Sequence, residues 1–293
     1  MEICEPVHSS VISADDNPLY KLHLSFVEKQ WKCPQDEASS IESYRSESGH
    51  YFSVIYGLSR LKSIYSITIH CDHNATPGDV EKFVSIVFRH QMVAELRENR
   101  MNMLSLQSER FLDVFYDKFS EVTDNKFSGE DEYDLYLPSS KTSSGESTKL
   151  PDGYRLGELK DIHIEFLAKV WSQDILGKST ENLTRFVWDI KLNLKRPYIA
   201  IYRESEENPV GWMMIYSDGF AGQMHVTAPH RRKGLGKFMA KKMAKMFKES
   251  LGFGPFININ AKNELSAKLF TDLGWIKQKR SYKMYLFHES VQD

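Results

Sequence analysis

A basic turn with two glycines, leading into an amphipathic helix, constrains the fold of this chain most strongly. Residues 231–236 read Arg-Arg-Lys-Gly-Leu-Gly and follow a strand-like segment, 222–226, across a loop that contains Pro229. Beyond the turn, apolar residues recur at helical spacing: Leu235, Phe238, Met239, Met243, Met246 and Phe247. A strand, a glycine turn and a helix in this order predict outward-pointing backbone N–H groups at the helix N-terminus, which is a phosphate-binding arrangement.

The charge around this turn favours an anionic ligand. Eight Lys or Arg lie between Pro229 and Lys248, with no acidic residue among them. Residues 1–150 hold 15 Lys/Arg against 24 Asp/Glu, whereas residues 151–293 hold 23 against 16, although the net charge is only −2. An anionic partner is therefore expected on the C-terminal half. The lysine-rich face of the helix itself leaves open a solvated surface or docking to calmodulin or nucleic acid.

The length of 293 residues is sufficient for two domains with separate cores. We predict an N-terminal α/β domain over 1–137, a Ser-rich linker over 138–149 and a C-terminal domain over 150–293. Helices are predicted over 79–99, with Asp79 as a possible cap, and over 105–119. The acid-rich and Ser-rich stretch 121–149 is predicted to lack regular structure.

Three cysteines, Cys4, Cys33 and Cys71, are too few and too scattered for a disulfide framework or a Cys-rich zinc site. A reducing compartment, and no bound metal, are expected. No stretch approaches the ~18 apolar residues of a membrane span, and the N-terminus carries early acidic residues. These features predict a cytoplasmic protein without a membrane partner.

Two motifs together resemble the GCN5-related N-acetyltransferase (GNAT) superfamily. Members share a turn of the form Arg/Gln-x-x-Gly-x-Gly/Ala, which Arg231, Gly234 and Gly236 match. A second motif lies on their last helix and is matched here by Asn263, Ser266, Leu269, Phe270, Gly274 and Trp275. The resemblance covers about 150–288. It implies an α/β (α+β) fold with a mixed, mostly antiparallel central sheet flanked by helices.

Within the superfamily, Gly211-Trp212 and residues 222–225 look most like the glycine N-acyltransferase-like branch. Proteins of that branch carry a divergent half ahead of the catalytic one. The resemblance therefore implies that residues 17–130 are a degenerate second copy, which would give two tandem GNAT-like halves. It also leaves a mitochondrial location open, although no clear transit peptide is visible.

The activity implied by the resemblance is acyl-CoA-dependent N-acyl transfer (EC 2.3.1 type). An acetyl or other acyl group would pass from a coenzyme A thioester to a small primary amine such as an amino acid, without a metal. Nucleic acid is not expected as a partner. The implied cofactor-binding residues are Met224, Val226, Arg231, Arg232, Lys233, Gly234, Leu235, Gly236, Lys237, Asn263, Ser266 and Phe270.

The catalytic residues implied are Gln223, His225 and Ser266, and they depart from the family pattern. Glycine N-acyltransferases have a proposed glutamate base where this chain has Gln223, and glutamine cannot accept a proton at neutral pH. His225, two residues on and predicted to share its strand face, is the alternative base, or else a structural histidine. Phe270 replaces a tyrosine that protonates the leaving thiolate in many acetyltransferases. A catalytically weak coenzyme A-binding pseudoenzyme, or an interaction module using the basic helix 234–250, are therefore the alternative functions.

Overall fold

The computed structural model describes residues 4–6, 40–57, 66–71, 75–89, 103–106, 114, 117, 126–139, 142, 149–176, 187, 190, 191, 194, 196–216, 219–252 and 254–288. The chain divides into two compact units. Unit 1 contains Met1–Asp134 and Lys279–Asp293, and unit 2 contains Leu135–Gln278. The divisions fall inside two strands, β6 (Lys126–Pro138) and β12 (Trp275–His288).

Unit 1 is built on strands β1 (Cys4–Pro6), β2 (Ser40–Ser46), β3 (Tyr51–Gly57), β4 (Ser66–Cys71) and β5 (Met103–Leu106), with helix α1 (Pro77–Arg89) between the last two. Strands β1 to β4 pair antiparallel in sequence order. After α1, β5 returns parallel to β4 over four residue pairs, from Ser66 with Met103 to Ile69 with Leu106.

Helix α1 begins with a reciprocal cap. The backbone N–H of Asp79 donates to Thr76 Oγ1 at 3.2 Å, and Asp79 Oδ2 accepts from Thr76 Oγ1 and Ser48 Oγ, both at 2.7 Å. Burial alone would raise the pKa of the Asp79 carboxyl, but the hydrogen bonds from Ser48 and Thr76 hold it below its usual value. Thr76 is therefore the cap and Asp79 lies inside the helix, which corrects the expectation that Asp79 precedes it. The apolar side of α1 includes Phe83, which stacks on Phe52 with ring centroids 4.8 Å apart.

Unit 2 contains β7 (Tyr154–Leu156), α2 (Asp161–Leu176), β8 (Ile199–Arg203), β9 (Gly211–Ile215), β10 (Ala221–Val226), α3 (Leu235–Leu251), β11 (Ile257–Asn260) and α4 (Glu264–Asp272). The strand order is β11-β10-β9-β8-β7, parallel between β10 and β11 and antiparallel elsewhere. Three antiparallel strands, a helix and a parallel strand thus follow one another in unit 2 as they do in unit 1.

The sheet of unit 2 has two buried faces, each covered by a helix. On the face towards α2, a core cluster joins Ala200, Tyr202, Trp212 and Met214 to Leu159, Ile164, Leu167 and Ala168. The opposite face lies towards α3, because a Cβ on Gly211 would lie 3.5 Å from Met239 Cε. Met213 and Ile215 alternate onto this face, and both are fully buried. We refer to these as the α2 face and the α3 face.

Two sequence predictions fail in the middle of the chain. The segment predicted as irregular over 121–149 contains the long strand β6, because its acidic residues alternate with Phe, Tyr and Leu that favour strands. The helix predicted over 105–119 is wrong at its start, since Ser105 and Leu106 lie in β5; Val114 and Asp117 are helical.

The division between the units also differs from the predicted domain limits. The final part of β12 pairs with β5 of unit 1, so the chain beyond Gln278 does not stay with the preceding domain. Two residues of the predicted linker, Ser139 and Thr142, are hydrogen-bonded to the carbonyl oxygen of Gly274, at 3.3 and 3.1 Å. None of the described helices is both long and apolar enough to cross a membrane.

A buried histidine at the start of α2 gives a test of this core. His163 Nδ1 accepts a hydrogen bond from the Lys160 backbone N–H at 2.9 Å, and burial lowers the pKa of His163. The unfolded chain, with its ordinary histidine pKa of about 6.5, therefore binds a proton at a higher pH than the folded protein does. Protonation stabilises the unfolded chain, so this group contributes stability above about pH 6.5 that is lost on acidification. We expect the midpoint of urea unfolding to fall less between pH 7.5 and 5.5 in His163→Gln than in the wild type. Parallel pH profiles would contradict this assignment.

Candidate functional site

The predicted phosphate-binding turn lies at the N-terminus of α3. Gly234 precedes the helix with φ 81° and provides no side-chain cap. The Phe238 N–H donates to the Gly234 carbonyl oxygen at 2.9 Å, which is the first hydrogen bond of the helix. The N–H groups of Leu235, Gly236 and Lys237 are therefore in the first helical turn, which cannot satisfy them. A Cβ on Gly234 would meet no atom within 4 Å, so the space beside the turn is open. The geometry is that of an anion cradle.

The charges of the cradle are available to a ligand. Arg231, Arg232, Lys233 and Lys237 are exposed, and the first turn of α3 has no acidic residue. On α3 an ion pair joins Lys245 to Glu249 at the far end, at 3.6 Å. The Arg231 side chain is partly committed, since its Nε donates to the Val226 carbonyl oxygen at 2.9 Å and so ties the turn to the end of β10. Positive charge at a helix N-terminus with free amides attracts phosphate.

Strands β10 and β11 separate next to this cradle. Among the described residues, the pair Ala221 with Ile257 is where their parallel register holds, and the Ala221 N–H donates to the Phe256 carbonyl oxygen at 2.9 Å. On its other side β10 stays with β9 as far as Val226. The edge of β10 after Ala221 therefore faces a gap, which we call the β10–β11 gap.

Strand β10 carries a bulge within this stretch. Gly222 pairs with Met214 and His225 with Trp212, so β10 has one more residue between these pairs than β9 has. Gln223 lies in the bulge with φ 46°, is buried, and donates its backbone N–H to Tyr216 Oη at 3.2 Å. The Tyr216 ring covers Gly222 so closely that an added Cβ would lie 2.2 Å from its Cε2. A side chain at position 222 would displace the ring and the bulge with it.

The bulge determines which face of the sheet His225 occupies. Paired residues share a sheet face, so His225 lies with Trp212 on the α2 face, together with Gly222 three residues earlier. The alternation that predicted a shared face for Gln223 and His225 is therefore interrupted. The His225 ring is 5% exposed and lies 4.8 Å from the Trp212 ring, at 32° to it.

The second motif is brought beside the cradle helix. Gly236 would place a Cβ 3.4 Å from Leu269 Cδ2 of α4. Asn263 caps α4, since its Oδ1 accepts from the Ser266 N–H at 3.1 Å, and Ser266 is half-buried. Phe270 is 2% exposed and packs edge-on against Trp275, with centroids 5.1 Å apart. Met224 and Val226 are half-buried on β10.

A polar cluster around the buried side chain of His230, which sequence reasoning missed, holds the chain just before the turn. His230 Nδ1 is 2.9 Å from Tyr154 Oη, and its Nε2 is 3.1 Å from Glu206 Oε1. The His230 ring is 5% exposed and lies edge-on to the Tyr154 ring at 5.7 Å. Thr227 adds two hydrogen bonds to the Val210 carbonyl oxygen, from N at 2.9 Å and Oγ1 at 3.2 Å. Tyr154 is 76 residues from His230 in sequence, and no sequence motif links them.

The described residues contain no group of three or more His, Cys, Asp or Glu side chains arranged to hold a metal ion. The arrangement in unit 2 therefore offers an anion cradle and, beyond Ala221, an edge of β10 that is not in register with β11, on the strand that carries Gln223 and His225. Such a site can bind an elongated ligand with a phosphate at one end.

Comparisons with known proteins bear on the same segment. Residues 198–284, just ahead of β8 to within β12, match the family model described as FR47-like protein. No curated protein matches the chain significantly.

Solved structures align with most of the chain, and the first of them shares its fold. A Drosophila protein determined by structural genomics aligns over 97% of this chain and 98% of its own, at 15% identity and a TM-score of 0.69. A GCN5-related N-acetyltransferase from Sphaerobacter thermophilus covers 87% of this chain and 82% of its own, at 11% identity and a TM-score of 0.48. A tandem GNAT protein from the clavulanic acid biosynthesis pathway covers 97% and 96%, at 12% identity and a TM-score of 0.45. The predicted mixed, mostly antiparallel sheet flanked by helices is confirmed.

The polar cluster around His230 predicts a loss of anion binding when it is removed. We expect His230→Ala to weaken binding of inorganic pyrophosphate about tenfold, because the turn loses two side-chain hydrogen bonds of about 1 kcal/mol each that fix its position. Tyr154→Phe, which keeps the ring contact, should show a smaller loss. Lys149→Ala, at an exposed ion pair with Asp152, is the control and should bind pyrophosphate as the wild type does. Unchanged affinity in a folded His230→Ala protein would show that the cluster does not position the turn.

Proposed function

We propose that this protein is an acyl-CoA-dependent N-acyltransferase of the GNAT superfamily, with its active site in unit 2. The observation that carries the proposal is the combination of an anion cradle at the start of α3 with the β10–β11 gap beside it. A coenzyme A thioester has the matching form, since a pyrophosphate lies at one end of a narrow pantetheine arm. The family match over 198–284 supports the proposal.

The residues of the cradle fit the phosphate end of such a ligand. The N–H groups of residues 235–237 and the side chains of Arg232, Lys233 and Lys237 would contact the pyrophosphate. Gly234 is required because its φ of 81° disfavours other residues and because a side chain would occupy the open space. Asn263 and Ser266, at the start of α4, would lie towards the pantetheine arm.

One backbone group of β10 is suited to the carbonyl oxygen of the thioester. The Thr227 N–H donates across to Val210, at the β9 side. Because successive N–H groups along a strand point to opposite edges, the Val226 N–H is directed towards the gap. An oriented N–H at a developing negative oxygen typically contributes a few kcal/mol to lowering a barrier. The thioester supplies the acyl group, and an amine nitrogen takes it with release of the thiol and a proton.

His225 is the proposed acceptor of the proton from the amine. It is the histidine on β10, the strand whose edge faces the gap, and its ring is buried against Trp212. Gln223, in the bulge, is proposed to orient the acceptor through its carboxamide. The acceptor we propose is a small primary amine such as an amino acid, as in the glycine N-acyltransferase-like branch.

Unit 1 is proposed to be a divergent copy that does not bind coenzyme A. It has the same order of three antiparallel strands, helix and parallel strand, but β4 and β5 stay paired over four residues where β10 and β11 separate. Its helix N-terminus is occupied by the Asp79 carboxylate, which would repel a phosphate. The counterparts in unit 1 of the β10–β11 gap and of the anion cradle are thus both closed to a ligand.

One observation favours a second candidate, a coenzyme A-binding protein with little catalysis. Gln223 cannot act as a base, and His225 is packed against Trp212 as a structural histidine would be. An assay of thiol release distinguishes the transferase from this second candidate. It measures amine-dependent release from acetyl-CoA, benzoyl-CoA and a long-chain acyl-CoA over a panel of amino acids. Turnover with any pair supports the transferase. Binding without turnover, with a large gain in Gln223→Glu, supports the second candidate.

Substitution of Gly234 by glutamate is expected to abolish coenzyme binding. A carboxylate would stand in the open space of the cradle, and the dissociation constant for acetyl-CoA should rise at least a hundredfold. Gly252→Glu is a matched control, because Gly252 lies at the other end of α3 with φ 84° and similarly open space. It should be destabilised by a similar backbone strain but bind acetyl-CoA normally. Normal binding by Gly234→Glu would contradict the cradle assignment.

The role of His225 predicts a loss in turnover that exceeds any loss in binding. We expect His225→Asn to lower kcat at least tenfold with little change in the acetyl-CoA dissociation constant, and to flatten the acidic limb of the pH–rate profile. Asparagine keeps a polar planar group against Trp212. Equal losses in kcat and in binding, with an unchanged pH profile, would mean that His225 has only a structural role.

A further inference from the structure

Asn258, on β11, has a side-chain oxygen that none of the described residues hydrogen-bonds. This Oδ1 atom is buried. Burying a carbonyl oxygen without a donor costs free energy that a solvated or apolar side chain would avoid. Asparagine is also disfavoured within strands, so neither the local structure nor the packing explains this residue.

The position of Asn258 relates it to the β10–β11 gap. It is the residue directly after Ile257, which forms the register pair with Ala221. Ile257 and Ile259 are buried, with Ile257 on the α3 face because its partner Ala221 pairs with Ile215. By alternation Asn258 projects to the opposite, α2 face, which also carries Gly222 and His225. Asn258 therefore lies where the two strands begin to separate.

The neighbouring asparagines show what a structural role looks like in this segment. Asn260 Oδ1 accepts from the Lys262 N–H at 3.0 Å, and Asn263 Oδ1 accepts from the Ser266 N–H at 3.1 Å. Both oxygens are bound by the turn and the helix cap that follow them. Of these three side-chain oxygens, that of Asn258 is the one that accepts no hydrogen bond from the described residues.

We propose that Asn258 Oδ1 accepts a hydrogen bond from an N–H group of a ligand bound in the β10–β11 gap. The inference rests on the proposed function, which supplies two sources of that N–H: a secondary amide of the pantetheine arm, or the amine acceptor. In either case Asn258 is a binding residue that selects for an N–H donor at the place where the strands part.

Two ligands distinguish the sources in the full-length protein. Calorimetry would compare coenzyme A with adenosine 3′,5′-bisphosphate, which keeps phosphates and adenosine but has no pantetheine arm. If the arm is the donor, Asn258→Val should weaken coenzyme A about tenfold, the effect of one such hydrogen bond, and leave the bisphosphate unchanged. If the amine is the donor, coenzyme A should bind normally and the KM for the amine should rise by a similar factor. No change in any of these values would overturn the proposal.

Thermal unfolding without ligand separates this role from a structural one. Asn258→Val removes an unsatisfied oxygen and introduces a residue that favours strands, so its Tm should equal or exceed that of the wild type. Asn260→Val, which loses the bond from Lys262, should have a lower Tm and is the matched control. A clear fall in Tm for both Asn258→Val and Asn258→Ala would overturn the proposal by making the side chain structural.

The outcomes also separate this inference from the proposed function. If the wild type binds neither coenzyme A nor the bisphosphate, the proposed function fails and the inference fails with it. If the wild type binds coenzyme A and both Asn258 variants bind it with the same affinity and the same KM for the amine, the inference alone fails.

Discussion

The separation of β10 from β11 after a single register pair is the feature on which the rest of the site depends. Backbone N–H and C=O groups at a strand edge need partners, so an open edge inside a sheet is costly unless a ligand uses it. The bulge at Gln223, the ring of Tyr216 over Gly222 and the pairing of β10 with β9 hold the strand in this position. These contacts hold the β10 edge of the gap from the β9 side.

The cradle is held in place by contacts of the segment that joins β10 to α3. The segment between β10 and α3 is held by Thr227 on Val210, by His230 between Tyr154 and Glu206, and by Arg231 on the Val226 carbonyl oxygen. These contacts determine where the first amides of α3 point, so they connect the end of the gap to the phosphate-binding turn. Unit 1 shows the alternative outcome of the same element order: its parallel strands stay paired, and the first turn of its helix carries the Asp79 carboxylate.

Much of the fold of unit 2 could be predicted from sequence, because periodicity and caps are local signals. The amphipathic helix after Gly234, its end at Gly252 and the cap at Asn263 follow from such signals. The bulge could not be predicted, since it depends on how β10 pairs with β9, and it invalidated the alternation argument that joined Gln223 to His225. The His230 cluster and the unsatisfied oxygen of Asn258 depend on contacts between distant segments or on their absence. Strand β6 was missed because acidic residues outweighed its alternating aromatic and aliphatic ones.

Calorimetric titration of the wild-type protein with acetyl-CoA tests the central claim most directly, because it counts sites as well as measuring affinity. We expect micromolar binding with one site per chain, since the cradle and gap of unit 2 are open and their counterparts in unit 1 are closed. An absence of binding would contradict the assignment of the cradle and the gap. Two equivalent sites per chain would contradict the physical reason given for the difference between the units.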